Sequence, residues 1–128
     1  MNKNPKYDLE ERLIDFAIRI SNVVDKIDNS KLGIYIANQL IRSGTSPALN
    51  YGEAQSAESR KDFVHKMKIV LKELKESRIS LRIIDRKPLI SNTNKLKSIM
   101  EETEELIAII YKSIETAKHN IKQENNQR

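Results

Sequence analysis

The stretch SGTSPALNYGEA, residues 43–54, decides how this chain folds. It holds two of the three glycines and one of the three prolines. Residues on both sides carry helical periodicity. A proline inside a helix removes one backbone hydrogen bond and costs about 3 kcal/mol, which favours a loop. A loop over residues 43–54 would leave a segment too short to pack alone. Yet helical spacing persists through the stretch. Ala37, Ile41, Gly44, Ala48 and Gly52 fall on one side, while Ser43, Pro47, Asn50 and Ala54 continue an inward stripe. Gly44, Ala48 and Gly52 form a ladder of small residues that lets another helix come close. The expectation is one long second helix from about Ser30 to Ala57, bent at Pro47. The alternative is a helix–loop–helix break at Gly44 to Pro47.

Three other helices follow from periodicity. The first is expected over about Asp8 to Asp28, with Leu9, Leu13, Phe16, Ile20, Val23 and Ile27 on one face. Asp8–Arg12 and Asp15–Arg19 are i,i+4 pairs with the acid first, the better orientation. Asn29 and Ser30 can end this helix and cap the next, whose Leu32, Ile36, Gln39 and Leu40 point inward. Ser59 and Asp62 are spaced as a capping box before the third helix. Its inward row is Phe63, Met67, Val70, Leu74, Ser77, Leu81 and Ile84. Pro88 ends that helix near Asp85. The fourth carries Leu96, Ile99, Thr103, Leu106, Ile110, Ile114, Ala117 and Ile121. Short connections between long amphipathic segments predict an all-α, antiparallel up-down-up-down four-helix bundle. Residues 1–128 form a single domain on this reading, with a flexible arm at 1–6 and a polar tail at 120–128.

At 128 residues the chain suits one compact domain. Charged residues reach 32%, which fits helices with one buried stripe and a charged exterior. The absence of cysteine excludes disulfides, thiolate metal sites and a cysteine nucleophile. No apolar run approaches a membrane span, and MNKNPKYDLEER lacks a signal peptide's apolar core. These features predict a cytoplasmic protein with no membrane role. His65 and His119 lie off the core stripes, and neither completes a Glu-x-x-His metal motif, so no metal and no cofactor are expected. The acidic run Glu101, Glu102, Glu104 and Glu105 suits the early turns of the fourth helix. No phosphate-binding glycine loop or nucleophile elbow occurs, and no catalytic residue can be assigned.

Net charge is +5, placed unevenly: residues 66–87 hold eight bases against three acids. Lys61, Lys68, Lys72, Lys75, Arg82 and Arg86 fall within about 80° of one another on a helix of 3.6 residues per turn. They lie opposite Phe63, Leu74 and Leu81. Such a face suits phosphates, an acidic protein or solvent alone. No aromatic side chain interleaves it, so any nucleic-acid binding is expected to be backbone-led and weakly sequence-specific. Tyr7, Ile14 and Ile18 on the first helix, and Ile69, Ile79 and Ile83 on the third, lie away from the core rows. Repeated apolar residues there predict an oligomer interface. Arg42, Asn50, Tyr51 and Glu53 form a candidate polar network fixing helix register or a subunit contact.

Residues 42–84 carry a resemblance. Gln39, Leu40, Arg42, Ser43, Thr45 and Ser46 match a Q-L-x-R-S-x-T-S pattern, and Asn50, Tyr51, Glu53 and Ala54 match the last places of A-N-Y-x-E-A. Asp62, Phe63 and Lys66 match D-F-x-x-K, and Leu71, Lys72 and Glu73 match L-K-E. Together they resemble the bacterial four-helix-bundle family encoded by intervening sequences of large-subunit (23S) ribosomal RNA genes, over about Tyr7 to Ala117. Relatives with a proline in this region usually carry it one place later than Pro47. The resemblance implies a left-handed antiparallel bundle and a ring-like homopentamer. Accessory proteins of diversity-generating retroelements are similar in fold and assembly, and they bind nucleic acid and a reverse transcriptase. The expected function is a non-enzymatic oligomeric bundle that binds nucleic acid, with structured RNA favoured over DNA, through the third helix. The competing expectation is an interaction scaffold that docks an acidic protein.

Overall fold

The computed structural model of the protein describes the backbone of residues 5–127 and the side chains of residues 9–127. Among these residues there are four α-helices, one short 3-10 turn and no strand. Helix α1 spans Pro5–Val24, α2 Lys31–Gln55, α3 Arg60–Arg86 and α4 Leu96–Asn126, with the 3-10 turn at Thr93–Lys95. Helix α2 packs against α1 and α3, and α4 packs against α3 and more lightly against α1. One hydrophobic cluster draws on all four.

Helix α1 starts at Pro5, inside the expected arm, and proline suits a first helical position. It ends at Val24, short of Asp28. Past that point the N–H groups of Lys26 and Ile27 donate to carbonyls three residues back, those of Val23 and Val24, which tightens the chain into a turn. The Asp28 N–H then donates to the Leu89 carbonyl at 2.9 Å and ties the α1–α2 turn to the α3–α4 turn. Ser30 caps α2 by accepting from the Gly33 N–H at 3.0 Å, and Ser59 caps α3 by accepting from the Asp62 N–H at 3.0 Å. Helix α4 runs on to Asn126, through most of the segment expected as a polar tail.

Helix α2 is unbroken from Gly44 to Gly52, with Pro47 inside it. Side chains add hydrogen bonds around the proline. Thr45 Oγ1 donates to the Ile41 carbonyl at 2.8 Å, and Asn50 Nδ2 donates to the Ser46 carbonyl at 3.0 Å. Pro47 is itself buried, so its ring adds to the core while its missing N–H weakens the helix. The small-residue ladder serves close packing at one end only. A Cβ on Gly44 would lie 2.5 Å from Ile20 Cγ2, so α1 and α2 meet there. A Cβ on Gly52 would meet nothing within 4 Å. Gly44→Ala should therefore destabilise the fold by about 1–3 kcal/mol through overpacking. Gly52→Ala should stabilise it by about 0.5–1 kcal/mol through helix propensity. Urea unfolding of the two variants checks both signs.

The expected core rows of α1, α3 and α4 are buried at Leu13, Phe16, Ile20, Met67, Val70, Leu74, Leu81, Ile84, Leu106 and Ile110, all fully closed to solvent. Phe63 of the α3 row is only half-buried, and the α2 row departs from expectation at Leu32. It is exposed, because Gly33 takes the inward place against the Asp28 backbone. Tyr51, Val64, Leu89, Ile90 and Ile107 are buried although no row contained them.

Candidate nucleic-acid interface

The inner face of α3 is fixed by its fully buried row, and that sets what its outer face presents. Lys61, Lys68, Lys72, Lys75, Arg82 and Arg86 are all exposed. From Lys61 to Arg86 the row extends about 38 Å at 1.5 Å per residue. Lys72 Nζ stands 3.9 Å from Glu73 Oε1, a loose pair. The other five form no ion pair among the described residues. Two further bases of the run are engaged elsewhere. Arg78 pairs with Glu104 of α4 at 3.3 Å, and Lys66 stands 3.9 Å from Glu53.

Two acids of α3, Glu73 and Glu76, are held mainly by Arg42 of α2. Glu73 is buried, and both its oxygens accept from Arg42 Nη1 at 3.1 Å. Glu76 accepts from Arg42 Nη2 at 3.2 Å. The hydrogen bond to Glu76, then the charge of Glu73, push the Arg42 guanidinium further above its ordinary range. Beside this clamp the Ser77 hydroxyl donates to the buried Ser43 hydroxyl at 2.9 Å. The α2–α3 seam is thus polar at its centre. Arg42→Ala would leave the Glu73 carboxylate buried without its main partner. The melting temperature should drop, and Arg42→Ala combined with Glu73→Gln should recover part of the drop. Thermal unfolding of the single and double variants checks the coupling.

Among the described residues, Arg42, Asn50 and Glu53 take separate partners. Arg42 reaches α3, Asn50 turns back onto Ser46 of its own helix, and Glu53 is exposed beside Lys66. Tyr51 is buried, and desolvation, followed by the charge of Glu10, pushes its phenol above the usual range. Glu73, the buried partner of Arg42, was legible only as part of L-K-E. Its spacing on α3 did not mark it as the inward acid.

On α1, Ile14 is 42% and Ile18 57% exposed, while the side chain of Tyr7 lies outside the described residues. On α3, Ile79 is 51% exposed, whereas Ile69 is half-buried and Ile83 is half-buried and packs on the core. Ile79 projects from the middle of the basic row, at the rim of a groove of about 430 Å³ lined also by Ile83, Arg82, Arg86 and Lys87. The larger apolar face is one the periodicity reading missed. Ile34, Ile41 and Leu49 of α2 are exposed and fall within about 80° on the helix. Gly44 fixes the side of α2 that meets α1, and Ile41 stands beside it. Arg12 and Arg19 mark the side of α1 that meets α4, and Ile14 and Ile18 stand away from it. The two apolar rows therefore flank the α1–α2 seam.

Of the pairs expected within α1, Asp8 of Asp8–Arg12 lies outside the described side chains, and Asp15–Arg19 forms no ion pair among the described residues. Arg12 bonds Glu102 of α4 at 2.6 Å and stands 3.5 Å from Glu105, and Arg19 donates to Ser98 at 2.9 Å. Glu102, Glu104 and Glu105 thus take cross-helix partners instead of complementing the first turn of α4, which contains no acid. His65 and His119 are exposed, and among the described residues no cluster of potential metal ligands occurs. No helix among them is long and apolar enough to cross a membrane.

Comparison with known proteins places these features. A crystal structure of a protein of unknown function from the S23 ribosomal protein family of Bacteroides thetaiotaomicron is similar, with a TM-score of 0.77 and 30% identity. The match covers 86% of this chain and 97% of that one. No curated protein matches. The family described as 23S rRNA-intervening sequence protein matches residues 6–112. The motif residues that carry that likeness pair across one seam, Arg42 with Glu73 and Glu53 with Lys66. The match spans most of the four-helix fold, and the chain belongs to the 23S rRNA-intervening sequence protein family.

Proposed function

We propose that this protein is a non-enzymatic, self-assembling helical bundle that binds nucleic acid, structured RNA foremost, through the outer face of α3. The observation that carries this reading is the row of exposed cations about 38 Å long, five of them without an ion pair among the described residues. Glu73 and Glu76 of α3 are held by Arg42, and Glu73 reaches the row only loosely, at Lys72. Phosphates spaced along a backbone fit a stiff line of cations, and binding of this kind releases counterions. Neighbouring helices run antiparallel in this reading. Residue numbers fall along α3 as they rise along α2, from Arg42–Glu73 to Glu53–Lys66. Copies associate through the apolar rows flanking the α1–α2 seam, into the homopentamer that the family resemblance implies. Ile79 sits among cations, so α3 faces outward for phosphate. Assembly would present several such rows and raise avidity. The reading places the protein in the cytoplasm, where RNA is at hand.

Titration with structured RNA, duplex DNA and poly-glutamate over a salt series tests the reading. RNA is expected to bind tightest, with an affinity that falls steeply as salt rises. Poly-glutamate bound as tightly as RNA would transfer the row to an acidic protein partner.

A further inference from the structure

We infer that a second, separate anion site lies on the α1–α4 side, where Arg19, Lys26 and Lys95 line one small cavity that takes a phosphate group. The cavity measures about 180 Å³. Val23, Ile90, Leu96 and Ile99 line it with apolar surface, and Asn22 lines it too. Every charged residue lining it is a base. The three bases come from separate parts of the chain: α1, the turn after it, and the short 3-10 turn before α4. None of the three forms an ion pair among the described residues. Like charges converging on one concavity repel one another, and a bound anion removes that cost.

Arg19 is already oriented. Its Nη2 donates to Ser98 Oγ at 2.9 Å, which holds one arm of the guanidinium on α4. The remaining N–H groups of that fork suit the planar pairs of oxygens on a phosphate or carboxylate. The two lysines add point charges without directional demand, which favours a dianionic phosphate over a single carboxylate. The size limits the ligand. Pockets for drug-sized molecules start near about 300 Å³, so this one admits a phosphate group and little more. Anything attached to the phosphate must extend into solvent. Two sources share this chemistry: a free phosphate ion and the terminal phosphate of a nucleic-acid strand. The site stands apart from the α3 row, because α1 and α3 do not pack as neighbours.

The test is a titration of the full chain with inorganic phosphate at constant ionic strength, followed by amide NMR shifts. Saturable shifts at Asn22, Ile90, Lys95 and Leu96 are expected with phosphate and not with chloride. Lys26→Gln combined with Lys95→Gln alters only exposed side chains and should weaken phosphate binding at least tenfold. Arg19→Gln should do the same, with its helix content checked by circular dichroism. Lys68→Glu/Lys72→Glu/Lys75→Glu should leave it within twofold, so failure of the α3 reading and failure of this one are separable. A 5′-phosphorylated oligoribonucleotide that binds tighter than its 5′-hydroxyl form, with the gain lost in the double lysine variant, assigns the site to strand ends. Phosphate binding without that gain assigns it to the free ion. Equal shifts in chloride, or a double lysine variant that binds phosphate as the parent does, overturn the proposal.

Discussion

Reversing Lys68, Lys72 and Lys75 to glutamate is expected to weaken RNA binding about 100- to 500-fold at 0.1 M salt. The estimate follows from counterion release. Each phosphate contact contributes roughly 0.7 to 0.9 to the slope of log affinity against log salt. Three lost contacts, taken one decade below 1 M, remove about 2.1 to 2.7 decades. The slope itself should become shallower by about two to three units. All three lysines are exposed and have no part in the buried row of Met67, Val70 and Leu74. Exposed substitutions usually shift stability by less than about 0.5 kcal/mol each, so the triple variant should fold and assemble as before. Filter binding across a salt series, beside sedimentation and circular dichroism, reads all three quantities. A folded, assembled variant that keeps the parent's affinity and slope would leave the α3 row as a solvated face.

The second large effect concerns assembly. Ile14→Asp combined with Ile41→Asp is expected to convert the assembled protein to monomers of about 15 kDa that retain their helix content. Burying an isoleucine side chain contributes about 1.5–3 kcal/mol, so losing two per subunit should weaken association by roughly two to four decades. Buried aspartates without partners would weaken it further. Both isoleucines are exposed within one subunit, so its core is untouched. Sedimentation velocity at micromolar concentration checks the outcome. Ile79→Asp provides the contrast and should leave assembly intact. Dissociation by Ile79→Asp, with the double variant still assembled, would move the interface onto α3 and remove its outward face from the RNA reading.

Several features are legible in the sequence because their causes are local. The row from Leu9 to Ile20 repeats at steps of three and four, and so do the rows of α3 and α4. A helix with such a row can satisfy it only by burying that side. Ser30 and Ser59 cap the helices that follow them, since a side-chain oxygen reaches an N–H three residues on whatever surrounds it. The continuity of α2 through Pro47 is legible in the same way: helical spacing outlasts one missing hydrogen bond. The basic row on α3 needs only the helical period to be placed on one face.

What the sequence could not decide is which residue of a distant segment stands opposite. Gly44 and Gly52 look alike in the ladder, yet only Gly44 meets Ile20, because α1 crosses α2 at that level and not a few turns later. Arg19 has an acid four residues before it, but its guanidinium reaches Ser98 of α4 instead, and Arg12 reaches the half-buried Glu102 of the same helix. Glu73 reads as one more surface acid until α2 brings Arg42 over it. The exposed rows of α1 and α2 look unrelated until the helices lie side by side. By itself the sequence determined the helices, their caps, their inner rows and the basic face. The tertiary structure alone decided the Arg42–Glu73 clamp, the apolar seam and the Arg19–Lys26–Lys95 cavity, because these arise from packing between segments distant along the chain, which no local periodicity encodes.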